Sequence, residues 1–183
     1  MRIKIAIQGQ EASFHGLAAR QLLGDDIQLL YCETFADTFA SLANGDADKI
    51  VVAIENSLFG PIHETQDLLL KYNFIKVGEL RLRIKQCLIG LSNAKLSDIR
   101  EIYSQLPALV QCKIYLDEHV SKAKRIEQQD TAESVANIKA WDDPTKAAIA
   151  SAEAAKLHGL KVLAAGIEDN KQNYTRFLLL EQQ

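Results

Sequence analysis

The stretch Ile3-Lys4-Ile5-Ala6-Ile7-Gln8-Gly9-Gln10-Glu11-Ala12-Ser13-Phe14 decides the fold class. Through Ile7, charged or small residues alternate with isoleucine, which is the period of a strand. Gly9 permits a tight turn, Ser13 stands at an N-cap position, and Phe14 to Leu23 carries the apolar spacing of a helix. A strand, a glycine turn and a capped helix together open an α/β arrangement.

The same rhythm continues outward. Strands are expected at Ile27 to Tyr31, Lys49 to Ile54, Cys87 to Leu91, Glu101 to Ser104, Lys124 to Gln128, Leu160 to Ala165 and Arg176 to Glu181, and Ala147 to Ala150 is a very short apolar run. Helices are expected at Phe35 to Ala43, Ile62 to Tyr72, Ala108 to His119, Thr131 to Ala140 and Ser151 to His158. Phe74 to Ile84 reads as one long extended segment. This alternation implies mixed, mostly parallel sheets with helices on both faces. The segments near Phe74 to Ile84 and Asp169 to Tyr174 are polar-flanked, and each is placed to cross between two lobes. The expected division is 1–79 with 170–183, and 80–169.

The composition narrows the partners. A chain of 183 residues suffices for two small lobes, and its net charge of -3 is spread without a basic stripe. Nucleic acid and membrane are therefore not expected as partners. Cys32, Cys87 and Cys112 are odd in number and widely spaced, which points to a reducing, cytoplasmic compartment and to no zinc site. His63 and Glu64 are adjacent on a helix and do not share a face, so they form no metal motif.

Chemistry in α/β sheets gathers beyond the carboxyl ends of strands. Three places qualify. Gly9 to Ser13 leads into helix amides able to meet an anion. Glu55-Asn56-Ser57 follows a buried strand and offers amide and hydroxyl groups. Asn173-Tyr174-Thr175-Arg176 sets a hydroxyl and a guanidinium before the apolar run Phe177 to Leu180.

These segments, taken in order, resemble the prephenate dehydratase family. Gly9 to His15 with Ala18-Ala19 is similar to its G-P-x-G-[ST]-[FY]-S-x-x-A-A. Ile54-Glu55-Asn56-Ser57, Gly60 and Asp67-Leu68-Leu69 resemble P-I-E-N-S…G…D-L-L. Tyr103-Ser104 and Ala108 to Cys112 resemble S-H-P-Q-A-L-x-Q-C, Asp130-Thr131-Ala132 resembles D-T-A, and Asn173 to Phe177 resembles N-x-T-R-F. The resemblance implies two α/β lobes with a cleft between them, similar to type II periplasmic binding proteins. It implies loss of water and carbon dioxide from prephenate to give phenylpyruvate, with no cofactor or metal. A homo-oligomer, a dimer by preference, is the expected assembly. The ACT regulatory domain usual in the family is not expected, since the chain stops at Gln183.

By carry-over, Thr175 would donate to the departing hydroxyl, and Arg176 would grip a carboxylate or lock the strand. Asn56, Ser57, Ser104 and Gln111 would hold the substrate, and Ser13, Phe14 and Thr131 would line its site. Ala12, His15, Ala53, Gln86 and Gln105-Leu106-Pro107 depart from the family pattern. These departures bear on efficiency and substrate choice. Two other readings stand beside dehydration: a prephenate decarboxylase that keeps the hydroxyl, and a noncatalytic carboxylate-binding module.

Overall fold

The computed structural model describes residues 2–128 and 131–183. In chain order the elements are β1 (Ile3–Gln8), α1 (Phe14–Leu23), β2 (Ile27–Cys32), α2 (Phe35–Ala43), β3 (Lys49–Asn56), a short β4 (Gly60–Pro61), α3 (His63–Tyr72) and β5 (Ile75–Arg83). They continue with β6 (Cys87–Gly90), β7 (Glu101–Ser104), α4 (Leu106–Gln111), α5 (Lys113–His119), β8 (Lys124–Glu127) and α6 (Thr131–Trp141). The chain ends with β9 (Lys146–Ala150), α7 (Ala152–His158), β10 (Lys161–Ala165) and β11 (Tyr174–Glu181).

Two compact units result. The first comprises the residues up to Ile84 together with Gln172–Gln183. Its sheet has the order β2-β1-β3-β11-β5, with β4 added to β3. β1 is parallel to both β2 and β3, whereas β11 runs antiparallel to β3 and β5. The period-two pattern of strand side chains sends Ile5, Ile7, Val51, Ala53, Phe177 and Leu179 to one face, where α1 covers them with Ala18 and Ala19. Ala6, Ile50, Val52, Ile54, Leu178 and Leu180 go to the other face, under Phe39 and Leu42 of α2 and Leu68, Leu69 and Tyr72 of α3. Each buried Leu contributes about 1.5–3 kcal/mol relative to exposure, so a one-residue slip of β11 would invert both cores.

The second unit is Lys85–Lys171. Its sheet has the order β10-β6-β9-β7-β8, parallel in β8-β7-β9 and antiparallel in β9-β6-β10. Leu88, Ile102, Leu109, Cys112, Leu116 and Ile149 lie in its main core. The unit boundaries lie a few residues beyond 79 and 169. β5 stays paired with β11 as far as Arg83↔Tyr174, and the Lys171 amino group donates to the Glu168 carbonyl at 2.7 Å.

One element differs from its expected form. Ala108 to His119 is not a single helix: it breaks at Cys112 (φ -109, ψ 14) into α4 and α5. The Asp169 carboxylate accepts from the Ile114 amide at 3.0 Å and the Tyr115 amide at 3.3 Å, and the Asp169 amide donates to the Gln111 carbonyl at 2.7 Å. These bonds replace helical ones across the break. Among the described residues no helix is long and apolar enough to cross a membrane.

Candidate active site

The carboxyl end of β3 meets the start of β11 with Asn56 opposite Thr175. The Asn56 amide nitrogen donates to Asn173 Oδ1 at 2.9 Å and to Thr175 Oγ1 at 3.0 Å. Its oxygen accepts from the amides of Leu58 at 2.9 Å and Phe59 at 3.2 Å. Both donors and both lone pairs of the Asn56 side chain are therefore engaged, which fixes which way the amide points. Ser57 extends the clasp, donating to the Gln172 carbonyl and accepting from the Tyr174 amide, both at 2.9 Å. Thr175 is 9% exposed and Asn173 is fully buried. Because the Thr175 oxygen accepts from Asn56, its own proton remains available to donate.

Arg176 points away from this cluster. Its guanidinium forks onto Glu79, with Nε to Oε1 at 2.6 Å and Nη2 to Oε2 at 3.1 Å, and lies 3.8 Å from Glu55. The Arg176 fork, followed by Lys76, pushes the Glu79 carboxyl down to about 2. Thr175 and Arg176 are neighbours on one strand and project to opposite faces, so a single small molecule does not meet both from one side. The pair Arg176–Glu79 ties β11 to β5.

At the turn after β1, Ala12 takes a left-handed conformation (φ 63), which glycine adopts without strain. Ser13 caps α1, its hydroxyl accepting from the Gly16 amide at 3.2 Å, and Phe14 packs half-buried on the α1-side core. His15 Nε2 accepts from the Ala53 amide at 3.3 Å, with its ring edge-on to Phe177 at 5.1 Å. Burial pushes this imidazole down to about 4, and the accepting nitrogen requires the neutral ring.

The remaining expected residues belong to the second unit. Ser104 is fully buried and donates to the Ile149 carbonyl at 2.7 Å, linking β7 to β9. Gln111 closes α4, half-buried, and Thr131 is buried at the start of α6. Asp130 lies outside the described residues. At the departure Gln86, the backbone amide donates to the Glu168 carboxylate at 2.9 Å, while the buried side-chain Oε1 meets no donor among the described residues. No group of three or more His, Cys, Asp or Glu side chains among the described residues is placed to hold a metal ion.

A family model described as prephenate dehydratase matches residues 5–183. The chain belongs to this family. Similar relatives include the chloroplastic arogenate dehydratase/prephenate dehydratase 2 of Arabidopsis thaliana, 34% identical over all of this chain and 47% of its own length. The chain thus spans about half the length of the curated relatives it matches. Among solved structures, the prephenate dehydratase of Arthrobacter aurescens in complex with L-Phe is 29% identical with a TM-score of 0.91, covering 99% of this chain and 61% of that one. GqqA, described as a novel type of quorum quenching acylase, is 33% identical with a TM-score of 0.87, covering 98% and 64%. Likeness to the methionine-binding protein MetQ, with a TM-score of 0.51 at 14% identity over 100% of this chain and 83% of that one, shows a fold shared with periplasmic binding proteins.

Within this prephenate dehydratase-family chain, sequence reasoning did not single out Asn173, although it opens the N-x-T-R-F segment. An amide two residues before Thr175, at the two-residue period of a strand, was the available signal. His15 and Asp169 carry no local mark of their roles, since both act on amides far away in sequence.

Proposed function

We propose that the chain is the dehydratase domain of a prephenate dehydratase, with Thr175 as hydrogen-bond donor to the departing hydroxyl. Prephenate is a cyclohexadienol bearing a ring carboxylate and a side-chain carboxylate. The ring C–O bond breaks with its electron pair leaving on oxygen, which takes up a proton and departs as water. The C–C bond to the ring carboxylate breaks with its pair entering the ring, releasing carbon dioxide and leaving phenylpyruvate aromatic. Aromatisation supplies the driving force, so the chain needs only to position groups and stabilise charge as it develops.

The Asn56–Thr175 hydrogen bond carries this reading. Accepting from Asn56 polarises the Thr175 hydroxyl and makes it a stronger donor. Asn173 and Ser57 hold that geometry, and Arg176 locks β5 to β11 through Glu79. A threonine hydroxyl is too weakly acidic to give up its proton alone, so it acts as a charge stabiliser or one step of a relay from solvent.

The test is turnover of purified protein with prephenate, and separately with arogenate, with the products identified. Phenylpyruvate from prephenate supports the reading. Phenylalanine from arogenate alone would move the substrate to the amino form. A non-aromatic product retaining the hydroxyl would mean decarboxylation, and binding without turnover a noncatalytic module.

A further inference from the structure

On the face of β11 opposite Thr175, a cavity of about 310 Å³ is lined by Glu55, Ser57, Arg81, Tyr174 and Arg176, all of the first unit. Three strands meet there in one row, with Glu55 opposite Arg176 and Arg176 opposite Arg81. Like charges directly opposite on neighbouring strands destabilise a sheet. Arg176 is neutralised by Glu79 and Glu55, but Arg81 has no carboxylate partner among the described residues. Instead its guanidinium lies over the Tyr174 ring, 4.6 Å from the centroid. This contact holds the guanidinium against the ring, and its N–H groups meet no acceptor among the described residues. A preset, unused fork suits a planar carboxylate.

We propose that this cavity binds a small monocarboxylate, gripped by Arg81 with Tyr174 as its apolar wall. The charges define the class: one unmatched cation takes one negative charge, and Glu55 and Glu79 would repel a dianion. At ~30 Å³ per water-sized volume the space holds on the order of ten non-hydrogen atoms. The site lies on the opposite face of the strand from the Thr175 hydroxyl and goes beyond the dehydratase reading.

An NMR titration of the full chain with benzoate at ~0.15 M salt tests this, reading the Arg81 Nε–H and the Tyr174 ring signals. Saturable shifts of both signals are expected. Arg81→Gln should weaken the Tyr174 response at least about tenfold, and Arg81→Lys several-fold, because a point charge lacks the planar fork. Thr175→Ala should leave it unchanged. Absence of saturation, a Tyr174 response indifferent to both Arg81 variants, dependence on Thr175, or phosphate matching benzoate would each overturn the proposal. Circular dichroism of the variants confirms the fold, and the outcome does not depend on turnover of prephenate.

Discussion

The Asn56 side-chain amide reaches Thr175 Oγ1 at 3.0 Å while its second N–H holds Asn173 Oδ1 at 2.9 Å, so one fully bonded amide sets the direction of the threonine hydroxyl. Thr175→Ala should therefore lower kcat with prephenate roughly a hundredfold or more, with a smaller change in KM, as for loss of a transition-state donor. Asn56→Ala should cost a comparable factor, and the double variant little more, because both changes remove one device. Steady-state kinetics of the cycle decide it. Additive losses would separate the two residues.

Much of the fold was legible because both faces of the first sheet are buried by strict alternation. Phe14–Leu23 and Phe35–Ala43 are helices over the residues where spacing and caps place them. What the sequence concealed depends on distant partners. The break at Cys112 is held by Asp169, 55 residues from Ile114, and Arg176 finds Glu79 from 97 residues away. Periodicity reports which side of an element is apolar and is silent on which polar group meets which. For the same reason Asn56 could be recognised as a polar group at a strand end, but its complete engagement could not.

Ala12 offers a test of backbone strain. Left-handed geometry costs a non-glycine residue about 1–2 kcal/mol, partly offset on mutation by the greater freedom glycine loses on folding. Ala12→Gly should stabilise the protein by roughly 0.5–1 kcal/mol, measured by urea unfolding. An unchanged or lower midpoint at constant m would show that the turn stores no strain.

Helix α5 should weaken when its distant cap is removed. The Asp169 carboxylate satisfies the amides of Ile114 and Tyr115, which the break at Cys112 deprives of helical acceptors. Asp169→Ala should cost about 1–2 kcal/mol, read by denaturant unfolding, with faster amide exchange at those two residues. Retained protection at both would show that other acceptors serve them.

His15 should make stability depend on pH over a defined window. Its folded value of about 4 lies below the ordinary 6.5, so the unfolded chain takes up the proton first. The stability of the neutral form is complete above 6.5, declines as pH falls towards 4, and levels off below that. Protonation would also abolish the bond from the Ala53 amide. His15→Gln should flatten this window in a series of thermal midpoints. An equal slope in the variant would assign the dependence to other groups.

Glu79 and Arg176 permit a sharper test of what the guanidinium does. Both side chains are partly exposed, so the pair acts through geometry more than through net charge. The fork is the leading cause of the low Glu79 value of about 2, and Lys76 comes second. Lysine at position 176 keeps the charge but cannot make two parallel bonds. Arg176→Lys should therefore raise the Glu79 carboxyl towards its ordinary range, followed by its side-chain carbon signal in an NMR pH titration. The sign for stability follows. A depressed carboxyl stabilises the fold above its unfolded value of 4.5, and that contribution fades as pH falls through about 2. In Arg176→Lys the fade should begin at higher pH, moving the acid unfolding limb upward, and Glu79→Gln should remove the same contribution at neutral pH. If Glu79 stays near 2 in Arg176→Lys, positive charge at positions 76 and 176, rather than the planar fork, sets its value.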